Sequence, residues 1–222
     1  MGPRFRGDDR GERFGGNPRG SVIDFTLSQL IMRLCAVLFV SAVQSAAMAA
    51  AAGVLGDRGP RHDGRLTLNP LPQLDLIGSL VALVFSIGWA KWIAIDPREL
   101  RHGRVDLVLV ALAGLAAILL GVLALRLIRP LLLPLLPDTA AATSFELIRT
   151  TIELGVWFVV LGLLPIPPLA GGQLVVAVVP ALGDRLRQAQ LFLGLILAAL
   201  IATGVVTRAL YPVFEWLFGL VS

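Results

Sequence analysis

The groups in this chain that could carry out chemistry are few. There are two histidines, His62 and His102, and one cysteine, Cys35. A nucleophile at Ser45 would need a base within hydrogen-bond reach. Both histidines fall in polar connections between apolar runs, so the arrangement of a serine hydrolase is not met. His62, Asp63, Asp57 and His102 could converge on one membrane face and hold a metal ion, but loop histidines beside arginines are ordinarily solvated. Cys35 lies alone inside an apolar run, which excludes a disulfide framework or a thiolate cluster and predicts a buried, inert thiol.

The elements that position these groups are membrane helices. Of 222 residues, 56% are hydrophobic, more than a soluble domain needs for its core. Long apolar runs cover Leu34 to Leu55, Val105 to Leu125, Leu154 to Leu169 and Leu191 to Val206, where a bilayer core asks for roughly 20 helical residues. The net charge of +4 does not indicate nucleic acid, because the arginines sit between the apolar runs and read as topology signals. Arg33, Arg126 and Arg149 read as snorkelling residues at membrane edges. Trp89, Trp92, Trp157 and Trp216 read as interfacial or packing residues. No cleavable signal peptide is evident, so the first helix is expected to stay in the mature protein.

Residues 1–20 are rich in Gly and Arg and are expected to form a disordered basic tail; residues 21–222 form one transmembrane domain. Ser21 to Arg33 is placed at the interface and Leu34 to Leu55 as the first crossing. Arg65 to Leu68 is strand-like and ends at Asn69-Pro70, which suggests a loop or small hairpin. Leu76 to Trp92 satisfies both a full span and a re-entrant hairpin, and the positions of Lys91, Arg98, Arg101 and Arg104 favour the hairpin. Pro165, Pro167 and Pro168 lack backbone donors, so helix must stop there. The expected fold is an all-α membrane bundle of about four to five transmembrane helices with a re-entrant segment over 76–92.

The run Leu163-Leu164-Pro165-Ile166-Pro167-Pro168-Leu169-Ala170-Gly171-Gly172 resembles the signature of site-2 proteases, the intramembrane zinc metalloproteases. Asn69-Pro70, Gly88-Trp89-Ala90-Lys91, Pro97-Arg98 and Ala111-Leu112-Ala113-Gly114 resemble further landmarks of the compact bacterial members, in the same order. The landmarks retained are Asn69, Pro70, Gly114, Pro165, Pro167, Pro168, Gly171 and Gly172. The family carries HExxH on a membrane helix, with two His at i and i+4 gripping one zinc and a Glu handling water. By resemblance that motif falls on Gln44-Ser45-Ala46-Ala47-Met48, and a ligand Asp falls on Ala170. Gln44 offers a neutral amide, Met48 a soft thioether and Ala170 nothing, and Ser45 is no carboxylate base. Active-site lining is also changed at Leu115, Ile118 and Gly162.

This comparison leads to the expectation of a catalytically degenerate member, not an enzyme, without metal or cofactor. It would be an accessory or scaffolding subunit of an integral-membrane complex, held by lateral helix contacts. Its partners would be integral-membrane proteins and the bilayer, in a bacterial inner membrane. The alternative is a regulator that binds transmembrane clients in the former substrate groove without cleavage; a third reading is an active metalloprotease. By resemblance, Gly56 to Asp75 and Asp184 to Arg187 face the cytoplasm.

Overall fold

The computed structural model describes residues 26–221, so the expectation of a disordered tail over 1–20 lies outside the described residues. Among these the regular structure is helical: α1 (Leu27–Leu55), a short α2 (Gly59–His62), α3 (Leu76–Phe85), α4 (Arg104–Leu132), α5 (Asp138–Gly162), a short α6 (Gly172–Val178), α7 (Gly183–Ala202) and α8 (Val205–Val221). Three helices, within Leu27–Leu55, Arg104–Leu135 and Pro180–Ala202, are long and apolar enough to cross a membrane. The chain is an all-α membrane protein.

Local chemistry explains where the helices begin and end. Thr26 Oγ1 accepts the Gln29 N–H at 3.3 Å and starts α1, so the first long helix begins at Leu27 and not at Leu34. Ser21 to Arg33 is therefore not a separate interfacial piece where it is described. Cys35 is exposed on this helix, which corrects the expectation of a buried thiol: its position in an apolar run is equally compatible with a lipid-facing side. At the other end of α1, Gly56 takes φ 124°, and a Cβ there would lie 2.6 Å from the Glu99 carbonyl oxygen.

The core is built by α1, α4 and α5, which pack on one another. From Leu154 to Gly162 every residue of α5 is buried, as expected of a helix with neighbours on all sides. Helix α5 starts at Asp138, earlier than the apolar run over Leu154 to Leu169 suggests, and stops at Gly162. The prolines beyond lie in turns, which continue to Gly171. Arg129 sits 5.4 Å above the Phe145 ring where α4 turns into α5. The expected span over Leu191 to Val206 is likewise divided: α7 ends before Gly204, which takes φ 74°, and α8 follows. Trp157 stacks on Phe214 at 4.3 Å and joins α8 to α5.

Residues 76–92 form the rising and returning arms of a re-entrant hairpin. Asp75 Oδ1 accepts the Gly78 N–H at 2.7 Å and starts α3. The chain reverses after Phe85, with Ser86 in the left-handed region at φ 58°, and comes back extended. Leu74 pairs with Ala90 in one antiparallel bridge, the Lys91 N–H donates to the Gln73 carbonyl at 3.0 Å, and the Asp96 N–H reaches Asp57 Oδ2 at 3.1 Å. The excursion thus closes where it opened, beside the end of α1. The expected strand at Arg65 to Leu68 is absent; Asn69 Oδ1 instead accepts the Leu71 N–H at 3.2 Å and sets a turn.

Two arginines taken as membrane-edge residues have a more particular task. Arg33 Nη1 donates to the Leu83 and Val84 carbonyls at 2.7 and 2.9 Å, at the end of α3. Arg126 Nη1 donates to the Leu220 carbonyl at 2.8 Å, at the end of α8. Terminal carbonyls have no partner within their own helix, and a cation satisfies them while complementing the helix dipole. Arg33→Met is expected to keep the aliphatic packing and lose this cap, destabilising the protein by about 2 kcal/mol. Thermal unfolding in detergent checks this, and an unchanged midpoint would show that the cap contributes nothing.

Candidate functional site

The fifth and sixth turns of α1 carry Gln44, Ser45 and Met48 on a buried face, at 5%, 1% and 4% exposure. The descending arm of the hairpin brings Ala90 to Ile93 against them. The turns after α5 bring Pro168, Leu169 and Ala170 to the same place, so the four sequence-predicted positions, Ala170 included, line one small cavity of about 10 Å³. That is room for about one water-sized probe. Of the retained landmarks, Pro168 lines this cavity directly.

Glycines set how tightly these pieces meet. A Cβ on Gly114 of α4 would lie 2.5 Å from Met48 Cγ and 3.0 Å from its Sδ, so the thioether is spent on packing against α4. A Cβ on Gly172 would meet the Trp92 ring at 2.5 Å, and one on Gly171 would meet the Leu164 carbonyl oxygen and, at 2.6 Å, that of Gly162. Leu115 packs on Gly162. Asn69 and Pro70 lie away from it, in the turn that precedes Leu71 to Gln73.

Zinc is tested by the donors at these positions. They are a neutral amide, a hydroxyl, a thioether packed against α4 and a methyl group, and neutral or soft donors of this kind do not hold Zn²⁺. The residues present therefore do not fit the metal, and no step through zinc follows from them. The second metal candidate is dispersed. His102 is bound to Asp106, with its N–H 2.8 Å from Oδ2 and Nδ1 3.2 Å from Oδ1. Asp57 accepts the Gly59 N–H at 2.7 Å and that of Asp96. Among the described residues no three His, Cys, Asp or Glu gather to hold a metal ion. The charge of Asp57 holds the carboxyl of exposed Glu99 above the usual carboxylate range, with partial desolvation, a hydrogen bond that the protonated Glu99 donates to Asp57 and the charge of Asp96 adding to it and His62 opposing.

Sequence reasoning missed three features. Gln173, 1% exposed, donates from Nε2 to the Ile93 carbonyl at 2.7 Å and ties α6 to the hairpin. Its position one residue after the Gly pair was the available signal. Gln44 Oε1 is buried and has no hydrogen-bond partner among the described residues. The third is a cavity of about 660 Å³ next to the small one, lined by Trp92, Ala94 and Ile95 on one side and by Arg98, Arg104 and Arg187 on others.

Most of the chain is matched by a known sequence. Over 165 residues, 72% of this chain and 75% of the relative, the protein is 30% identical to the "Putative zinc metalloprotease YwhC" of Bacillus subtilis (strain 168). The chain belongs to the site-2 protease family. No protein-family model matches it, and no solved structure does.

Membership corrects one expectation. The chain was expected to be no enzyme because a zinc ligand set is missing. The relative's name points instead toward an enzyme, and the two chains are 30% identical over most of their length. The physical reason is one of scope: absent zinc donors describe zinc, not every reaction that a groove holding a polypeptide could support. As a site-2 protease family member with three apolar helices of spanning length, the protein is an integral membrane protein.

Proposed function

We propose that this site-2 protease family member receives membrane-embedded polypeptide segments of other integral-membrane proteins in the groove beside Trp92 to Ile95. The observation that carries this reading is an open backbone edge. Among the described residues, the amides of Trp92, Ile93, Ala94 and Ile95 donate to no acceptor, although the chain there is extended. Unpaired main-chain groups in an extended segment are a template for a second strand. Gln44 Oε1, a buried acceptor without a donor, stands across the small cavity from Trp92 and Ile93. An unmet acceptor of this kind costs about 1–3 kcal/mol, which a guest N–H would recover.

This reading is preferred to an accessory subunit held by lateral contacts because the unpaired groups lie in a groove and not on the outward faces of α7 and α8. The end of the bundle carrying Arg98, Arg104, Arg185 and Arg187 is placed on the cytoplasmic side of a bacterial inner membrane, following the bias of basic loops.

The test uses purified protein with Cys35→Ser, reconstituted in vesicles with a synthetic single-pass Leu/Ala peptide whose end is an extended Gly-rich segment bearing one cysteine. Disulfide capture is expected from Ala94→Cys and not from Leu195→Cys on the outward face of α7, where Leu195 is 53% exposed. Shortening of the peptide, read in the same assay, would add that the bound segment is also cut. Equal capture at both positions, or none at Ala94→Cys, would overturn the reading.

A further inference from the structure

We propose that the segment admitted along Trp92 to Ile95 is acidic where it runs out into the larger cavity, its carboxylates received by Arg98, Arg104 and Arg187. This rests on the reading that the edge takes a polypeptide, and adds what kind.

Three arginines from three separate stretches of chain line one cavity of about 660 Å³. Arg98 comes from the turn after the hairpin, Arg104 from the start of α4 and Arg187 from the first turns of α7. Among the described residues the one contact within 4.0 Å between a basic group and a carboxylate is His102 with Asp106, so none of the three guanidinium groups is neutralised by an ion pair. A topology signal requires basic residues on one face of the membrane. It does not require them to meet around one cavity.

The backbone adds to the same sign. Helices α4 and α7 begin at the cavity with Gly103, Arg104 and Gly183 in its lining, and each helix start is equivalent to about half a positive charge. Two carboxylates also line it, Asp96 and Asp184. Asp96 is engaged, its Oδ1 accepting the Arg98 N–H at 2.8 Å, and Asp184 sits in the first turn of α7, where the dipole holds it. Three guanidinium groups and two helix starts outweigh them.

The wall of the cavity decides between a peptide and a lipid headgroup. One side is the backbone of Trp92, Ala94 and Ile95, whose unpaired amides follow one another along the chain, a series that a second main chain matches better than a single headgroup does. Arginine pairs with carboxylate in a planar two-point geometry, so a peptide fixed along the edge has its side chains presented to the three guanidinium groups at defined heights.

The capture assay from Ala94→Cys tests this with one peptide made in three forms, carrying Asp/Glu, Gly/Ser or Lys residues beyond its extended segment. The acidic form is expected to be captured about tenfold faster than the basic form, from three solvent-facing ion pairs of modest strength. The triple variant Arg98→Glu, Arg104→Glu, Arg187→Glu should reverse the order. These side chains are exposed and unpaired, and single reversals, each expected to lower the preference in part, keep the result readable should the triple variant not fold. Equal capture of all three peptides would overturn the acidic preference and leave the edge reading standing; capture of none would remove both. An acidic preference that survives charge reversal would overturn the role of the arginines. Phosphatidylglycerol retained through purification by the native chain and lost from the reversed one, without any peptide preference, would assign the cavity to a lipid headgroup and also overturn it.

Discussion

Replacing Gly171 with Val is expected to prevent recovery of folded protein, with a loss of stability on the order of 3 kcal/mol or more. The atoms that a Cβ would meet are the backbone carbonyls of Leu164 and Gly162, which belong to the end of α5 and the turn after it and cannot rotate aside as a side chain can. The displaced turn carries Pro168 to Ala170, so the small cavity would be lost with it. Gly53→Ala provides the contrast: a Cβ there meets nothing within 4 Å, and removing a glycine from a helix interior gains about 0.5–1 kcal/mol. Size-exclusion profiles and thermal unfolding in detergent check both. A Gly171→Val protein as stable as the native chain would show that this turn does not position the site.

The second large effect concerns the metal. The combined substitutions Gln44→His, Ser45→Glu, Met48→His and Ala170→Asp are expected to turn a chain that retains no stoichiometric zinc into one that retains about one equivalent after dialysis. Positions 44 and 48 are one helical turn apart on one face, and all four positions already line one cavity. Replacing Met48 also frees space against Gly114. Three substitutions without Ala170→Asp should bind more weakly, by more than the roughly 10- to 100-fold that loss of an outer-shell partner costs. Metal analysis of both proteins is the check. Zinc near one equivalent in the native protein would mean that donors other than these four hold it.

How far the site could be read from the residues follows from what kind of signal each part leaves. The four positions expected from the resemblance were reached through the fixed spacings of the run from Leu163 to Gly172 and of the helix before Gly56, and the structure brings these four to one cavity. Prolines and apolar runs located α4 and the break after α5. The boundaries were less legible because apolar character marks what lipid or core touches, not where hydrogen bonding stops. Helix α5 extends back beyond Phe145 to Asp138 for that reason. The tasks of Arg33 and Arg126 were not legible at all, since a cation capping another helix leaves no periodic trace. Nor was the open edge over Trp92 to Ile95, because an unpaired amide is a property of neighbours and not of the residue that owns it.

The hairpin is fastened to α1 at two heights. Asp57, just past the end of α1, holds its returning arm through Asp96, and Arg33 holds its tip through Leu83 and Val84; Arg33 and the helix end at Leu55 are about 33 Å apart along the axis. A strip of chain pinned at both ends cannot slide, and α1 therefore works as a ruler that keeps Trp92 to Ile95 level with Gln44. Helix α7 is the least enclosed of the three long apolar helices, and its Gly194 leaves only ordinary contacts with Trp89, Ile77 and Pro168. The hairpin is the fixed jaw of the proposed groove.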